Sequence, residues 1–114
     1  MEKSCVFCSI VADEEKSEII GRGDGCIAIK DLFPVAKIHI LIIPREHLLY
    51  LSDLDKQNMF VVKCMYELAV EIAKGYGLDQ SGYRLVINQK NHAGQQVPHL
   101  HLHLIGGETL GVMA

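Results

Sequence analysis

The chain has 114 residues, 49% of them hydrophobic, which predicts a single domain over residues 1–114 with a core of its own. Its 11 basic and 14 acidic residues form no long run of either sign, so a nucleic-acid partner is not expected. The N-terminal residues lack the apolar region of a signal peptide, and the apolar runs elsewhere are too short to span a bilayer. These features predict a cytoplasmic protein with no membrane partner.

The first half of the chain is predicted to be mostly β-strand. The apolar segment CVFCSIVA, which begins at Cys5, could form one or two helical turns or an edge segment. Two β-rich runs, 18–20 and 26–30, are separated by glycines and an aspartate, which is typical of a hairpin. The next strand, KIHILIIP, ends at Pro44, and its alternation puts His39 on the face opposite three isoleucines.

The second half is predicted to hold one long helix and two more strands. The helix follows Ser52, with Ser52 and Asp53 suited to its N-cap and Gly75 and Gly77 to its end. Its apolar residues recur every four positions, at Phe60, Cys64, Leu68 and Ile72. A strand from Tyr83, a polar loop and the final strand VPHLHLHLIGG complete the chain. These elements predict an α+β fold, in which an antiparallel sheet of about five strands packs with one long and one short helix.

The final predicted strand alternates three histidines, His99, His101 and His103, with three leucines. On a strand the histidines share one face about 6.6 Å apart, because the rise is roughly 3.3 Å per residue, and the leucines enter the core from the other face. This histidine face has three interpretations: a solvated polar face, a metal site, or a nucleophile for chemistry at phosphorus. A neutral imidazole can attack a phosphate ester or anhydride if its tautomer is fixed and donors meet the developing charge.

The motif HLHLHLI resembles the His-φ-His-φ-His-φ-φ motif of the histidine triad (HIT) family. The flanking AGQQV and GG resemble its Hint branch, the nucleoside phosphoramidate hydrolases, and the similarity runs through nearly the whole chain. The resemblance implies a HIT-like fold. It also implies that His101 is the nucleophile on the α-phosphate, that His103 hydrogen-bonds the phosphate, and that His99 and His39 complete the histidine network.

The resemblance further implies a set of nucleotide-binding residues. Asp31 would accept hydrogen bonds from the ribose hydroxyls, and Asn88 and the backbone at Gln96 and Val97 would contact the phosphate. Gly94 would let the loop backbone approach it closely. Six side chains match the apolar wall around the base: Val6, Phe7, Ile10, Ile29, Leu32 and Leu41. Gln96 stands where the Hint branch more often has a small hydroxyl residue near the leaving group.

A metal site is indicated by the pair Cys5-x-x-Cys8, which in a cytoplasmic protein predicts a metal half-site or a redox pair. Resemblance to bacterial zinc-binding members implies that His47, of PREH, and His99 complete the ligand set. Two thiolates and two imidazoles form a closed tetrahedral set, which implies a structural Zn²⁺. No organic cofactor is expected, and Cys26 and Cys64 are predicted to be small core residues.

Three functions follow as expectations. The leading one is a nucleotide hydrolase that cleaves purine nucleoside 5′-phosphoramidates to the nucleoside monophosphate through a covalent nucleotidyl-histidine. The alternatives are a dinucleoside polyphosphate hydrolase, and a nucleotide-binding or scaffolding protein whose catalysis is vestigial. The resemblance also implies a homodimer formed through the long helix and the strand at Tyr83, and a purine nucleotide as the substrate.

Overall fold

The computed structural model describes residues 5–113, which form a five-stranded antiparallel sheet packed with helices. The strands are β1 (Ile19–Arg22), β2 (Cys26–Lys30), β3 (Ile38–Pro44), β4 (Tyr83–Val86) and β5 (Leu102–Gly106), arranged in the order β1-β2-β3-β5-β4. Every neighbouring pair in the sheet is antiparallel. The predicted α+β fold with five strands is confirmed.

Within the described residues, three α-helices accompany the sheet: α1 (Val6–Ala12), α2 (Phe60–Gly75) and α3 (Leu78–Ser81). The predicted long and short helices correspond to α2 and α1, and α3 is an additional single turn. Short 3₁₀ turns occur at Glu14–Lys16, Leu51–Asp53 and Asn91–Ala93. None of the helices within residues 5–113 has the length and apolar character needed to cross a membrane.

The predicted start of the long helix was wrong. Ser52 and Asp53 lie in a separate 3₁₀ turn, and α2 begins only at Phe60. The residues between them are held in turns by side chains: Asp55 Oδ1 accepts hydrogen bonds from the N–H groups of residues 57 and 58, and Asn58 Oδ1 accepts one from the Asp55 N–H. Such local bonds compete with helix formation. The predicted end was correct, because α2 stops at Gly75 and Gly77 adopts a left-handed conformation (φ 75°).

The histidine motif also departs from the prediction of a single long strand. β5 begins at Leu102, so only His103 lies within it, while His99 lies in a bend and His101 directly precedes the strand. The reason is a change of hydrogen-bond partner: the N–H of Leu100 donates to the carbonyl of Leu48, outside the sheet, at 2.6 Å. Pairing with β3 starts at Leu102, opposite Ile42.

The two faces of the sheet bury different apolar clusters, as the alternation predicts. Helix α2 covers one face, where its residues pack with Leu100, Leu102 and Leu104 and with the even-numbered isoleucines of β3. Helix α1 lies on the other face, where Phe7 packs with Ile29 and with the odd-numbered residues of β3. Cys26 of β2 is buried and Cys64 of α2 is partly buried, with their sulfur atoms 3.1 Å apart, in line with the predicted core positions.

The leucine face should dominate stability. Leu102 is fully buried between the sheet and α2, so we expect Leu102→Ala to lower the free energy of unfolding by about 2–5 kcal/mol. The same change at Leu32, which is 86% exposed, should stay within about 0.5 kcal/mol. Chemical denaturation of the two variants measures the difference. Equal losses would contradict this assignment of the core.

Candidate active site and metal centre

A cavity of about 680 Å³ opens on the α1 side of the sheet. Its wall is built from α1, the ends of β2 and β3, the loop before residue 98, and the histidine segment. Fourteen of the predicted site residues line it: Val6, Phe7, Ile10, Ile29, Asp31, Leu32, His39, Leu41, Asn88, Gly94, Gln96, Val97, His101 and His103. The cavity therefore brings together all of the residues expected to contact a nucleotide, while His99 lies behind it.

Five further residues line the cavity and were not predicted: Ser17, Glu18, Lys30, Phe33 and Val35. Phe33 and Val35 follow Asp31 in the same loop, so their proximity to a predicted site residue was a usable signal. Ser17 and Glu18 reach the cavity because β1 pairs with β2 in the register that sets Ile19 opposite Ile29. Nothing in the local sequence indicates that register.

His101 is buried at the floor of the cavity, and its tautomer is set by the backbone. Its Nδ1 lies 2.7 Å from the carbonyl oxygen of His99, and since a carbonyl can only accept, Nδ1 carries the proton and donates it. Burial lowers the pKa of His101, against a smaller rise from that hydrogen bond and from Asp31. A neutral ring with hydrogen on Nδ1 leaves the Nε2 lone pair available for attack.

His39 and His103 form a second chain of fixed tautomers. The N–H of Val35 donates to Nδ1 of His39 at 3.1 Å, so the proton of the neutral His39 ring is on Nε2. That Nε2 lies 2.9 Å from Nδ1 of His103 and 3.3 Å from Oδ2 of Asp31. By donating to His103 Nδ1, it leaves His103 with its own hydrogen on Nε2.

Burial keeps these two rings uncharged. It is the main cause that lowers the pKa of His103 to about 4, and the nearby His101 and His39 add to the effect. Burial likewise lowers the pKa of His39, while the charge of Asp31 raises it in part. At neutral pH, His103 is therefore a neutral hydrogen-bond donor through Nε2, next to a His101 ring whose centroid is 5.0 Å away. The Nε2 lone pair of His101 and the Nε2–H group of His103 therefore lie on neighbouring rings.

Asp31, His39 and His103 also resemble a metal-binding group, because their ligand atoms lie within 4.8 Å of one another. Hydrogen bonding argues against that use. A metal on Nε2 of His39 would displace its proton, yet Nδ1 already accepts the Val35 N–H and needs its own lone pair. The ring would have to lose both protons, so this trio is better suited to a hydrogen-bond network.

The second group, Cys5, Cys8, His47 and His99, has the donor set and the hydrogen bonding of a metal centre. Its four ligand atoms lie within 4.8 Å of one another, with Cys8 Sγ 2.8 Å from His47 Nδ1. Nδ1 of His99 lies 3.4 Å from Cys5 Sγ and 3.5 Å from Cys8 Sγ. The group can hold a metal ion, and two sulfur and two nitrogen ligands suit Zn²⁺.

His99 is prepared for that role by its other nitrogen. Nε2 lies 2.9 Å from the carbonyl oxygen of Pro44, so it carries the proton and Nδ1 presents its lone pair to the thiols. Burial lowers the pKa of His99, and the hydrogen bond to Pro44 offsets this only in part. The fully buried ring is therefore neutral. The conflict that His39 presents to a metal is absent here.

Helix α1 joins the metal group to the cavity. Cys5 caps the helix, Cys8 lies in its first turn, and Phe7 between them contacts both His99 and His101 edge-on, with ring centroids 5.8 Å and 5.1 Å away. Phe7 also lines the cavity. The two sites therefore share one wall.

Comparisons with known proteins agree with this geometry. Residues 12–110 match the family model of the HIT domain. The purine nucleoside phosphoramidase of Escherichia coli (strain K12) is 36% identical over 113 residues, which cover 99% of this chain and 95% of that protein. A HIT family hydrolase from Clostridium thermocellum superimposes with a TM-score of 0.90 at 39% identity, over 97% and 96% of the two chains.

A Zn-bound histidine triad family protein from Mycobacterium smegmatis superimposes with a TM-score of 0.80 at 31% identity, over 97% of this chain and 82% of that one. The chain therefore belongs to the HIT domain family, as its motif, its fold and the match to the family model over residues 12–110 show.

Proposed function

We propose that this protein hydrolyses purine nucleoside 5′-phosphoramidates to the nucleoside monophosphate through a covalent nucleotidyl-histidine. The observation that carries the proposal is the pair of fixed tautomers in the cavity: His101 with a free Nε2 lone pair, and His103 with a hydrogen on Nε2. Membership of the HIT family and similarity to the phosphoramidase of Escherichia coli support the choice of reaction.

The first step would be attack by Nε2 of His101 on the α-phosphorus. A nitrogen–phosphorus bond to His101 forms, the original phosphorus–nitrogen bond breaks, and the amine departs with a proton taken up from solvent. The carbonyl of His99 then stabilises the charge on the substituted ring, because Nδ1–H still donates to it. In the second step water attacks phosphorus, the bond from phosphorus to Nε2 of His101 breaks, a proton of the water passes to solvent, and the nucleoside monophosphate is released.

The cavity supplies complementary surfaces for the rest of the substrate. His103 would donate through Nε2 to a phosphate oxygen, aided by Asn88 and by the backbone at Gln96 and Val97. Asp31 would accept from the ribose: its Oδ1 accepts from the N–H of Phe33 at 2.8 Å and its Oδ2 lies 3.3 Å from Nε2 of His39, and each carboxylate oxygen has a second lone pair. The base would lie against the apolar wall of α1 and β2, formed by Val6, Phe7, Ile10, Ile29 and Leu41, with Leu32 at the rim.

The decisive test is release of AMP from an adenosine 5′-phosphoramidate. We expect the wild type to release AMP and His101→Ala to lose about 10³-fold or more of kcat, because the nucleophile is gone. His92→Ala is the matched control, since His92 lies in the exposed turn Asn91–Ala93 outside the cavity and should not alter kcat.

Two outcomes would replace the proposal. Release of AMP from diadenosine polyphosphates alone would make the protein a dinucleoside polyphosphate hydrolase. Nucleotide binding without turnover of either substrate would make it a nucleotide-binding or scaffolding protein. Turnover that persists in His101→Ala would remove His101 from the role of nucleophile.

A structural Zn²⁺ held by Cys5, Cys8, His47 and His99 is part of the proposal. Bound there, the ion would cross-link α1 to the segments that carry His47 and His99. The donor set and the tautomer of His99 support it, as does the Zn-bound relative from Mycobacterium smegmatis. Thiolate ligands persist in a reducing compartment, so we also assign the protein to the cytoplasm.

Metal analysis tests this assignment. We expect about one zinc ion per purified chain, and expect Cys8→Ser to lose it because one of four ligands is removed. The unfolding midpoint should then fall by at least about 5 °C, equivalent to roughly 1 kcal/mol. Cys64→Ser, a cysteine outside the group, should keep its zinc. A wild type free of zinc after purification without chelator would contradict the assignment.

A homodimer through α2 completes the proposal. The helix buries one side against the sheet, whereas Met59 at its N-cap and Tyr66 and Val70 within it are exposed, at spacings of seven and four residues that put them on one stripe. Sedimentation tests the dimer. We expect the wild type to sediment as a dimer and Val70→Glu as a monomer, because the variant places a charge in the proposed interface.

Val35→Glu adds the same charge to an exposed valine at the cavity and should leave the dimer intact. A monomeric wild type would remove the dimer from the proposal.

A further inference from the structure

The loop of residues 88–97 forms one side of the cavity, yet one of its residues is turned away from it. Asn88, Gly94, Gln96 and Val97 line the cavity, whereas the side chain of Gln95 bonds to the protein backbone. Its Oε1 accepts from the N–H of Lys90 at 2.9 Å. Its Nε2 lies 3.3 Å from the carbonyl oxygen of Val97 and 3.4 Å from that of Leu49.

These partners match an amide and no other common side chain. One N–H donor requires an oxygen, and two carbonyl acceptors require an NH₂ group, which only one orientation of the Gln95 amide provides. The backbone N–H of Gln95 adds a fourth bond, to the carbonyl of Lys90 at 3.1 Å. Gln95 therefore ties together the two halves of the loop and the segment at Leu49.

Lys90, the partner of Gln95, has an unfavourable backbone conformation. Its φ of 65° and ψ of −167° fall in a region that is almost restricted to glycine, and it is the one non-glycine residue with positive φ within residues 5–113. Such a conformation costs on the order of 1–3 kcal/mol and persists only when surrounding contacts hold it. Both the N–H and the carbonyl of Lys90 are bonded to Gln95. Its ammonium group also lies 4.6 Å from the centroid of the Tyr50 ring.

The bonds of Gln95 continue to the reactive histidine. The Val97 carbonyl that accepts from Gln95 also accepts from the N–H of His99, at 2.8 Å. The His99 carbonyl in turn accepts from Nδ1 of His101. Displacement of Val97 would thus move a cavity wall and the group that orients His101 together.

We propose that Gln95 is a positioning residue for phosphoryl transfer. Its amide holds Lys90 and Val97, and thereby keeps the loop backbone and the His101 ring at the correct positions relative to the phosphoryl group. The inference rests on the proposed function. Gln95 does not line the cavity, so it would act through Val97 and His99.

Two variants separate this role from simple packing. Gln95→Glu keeps the acceptor for the Lys90 N–H but turns an oxygen toward two carbonyls, and Gln95→Met keeps the bulk without any of the bonds. We expect both to lower kcat for an adenosine 5′-phosphoramidate by about 10²-fold, the cost of roughly 1 Å of misplacement. KM should change by less than about threefold, because the base wall is untouched. Gln57→Glu and Gln57→Met, in an exposed turn that does not line the cavity, are the matched controls.

Amide hydrogen exchange provides a readout that needs no turnover. The Lys90 amide should exchange faster in Gln95→Met than in the wild type, because its acceptor is lost, and the His99 amide should follow. If the wild type is active and both variants retain its kcat, the inference is overturned. If the wild type is inactive, the proposed function fails, and unchanged exchange at Lys90 and His99 would overturn the positioning role by itself.

Discussion

The rest of the site depends on the complete hydrogen bonding of one buried residue, His99. Its N–H donates to Val97, its carbonyl accepts from His101, its Nε2 donates to Pro44, and its Nδ1 faces two cysteines. A buried polar group without partners is costly, so each of these bonds helps to hold the ring and the backbone in one position. Through that position, His99 connects the loop, the end of β3 and helix α1 to the ring of His101.

The leucines give this arrangement its rigidity. Leu100, Leu102 and Leu104 are fully buried under α2, so a shift of one residue along β5 would exchange leucine for histidine in the core. The hydrogen bond from Leu100 to Leu48 then turns the chain out of the sheet just before β5. His103 consequently faces the cavity from a strand, while His99 can lie behind it.

Alternation was sufficient to predict most of the fold, whereas the predicted cavity residues came from the resemblance to the HIT family. The hairpin, the isoleucine strand and the leucine face follow from local patterns that burial enforces. The start of α2 was missed because Asp55 and Asn58 satisfy the backbone in turns, and side chains of that kind suit turns and helix caps alike. The strand limits were missed because a long-range partner, Leu48, took the amide of Leu100.

Other features of the site could not be read from the sequence at all. The tautomers of His39, His101 and His103 depend on Val35, on the His99 carbonyl and on each other, and only the folded chain brings these atoms together. The hydrogen bonds of the Gln95 side chain to Lys90 and Val97 could not be predicted either, because its neighbours in sequence line the cavity while Gln95 does not. The resemblance to the family identified the site residues, and the hydrogen bonds of the structure determine the tautomer of each histidine.

Helix α1 has a consequence for the energetics of binding. Seven residues are too few for an isolated helix to be stable in water, so α1 exists only while its contacts hold it. Cys8 of α1 and Cys5 at its N-cap belong to the possible metal-binding group, and Phe7 lines the cavity, so occupancy of either site would stabilise the same short segment. Thermodynamic linkage then makes the effect reciprocal: whatever factor a bound metal adds to nucleotide affinity, a bound nucleotide adds to metal affinity. A metal bound to these four residues would thus dissociate most easily when the cavity is empty.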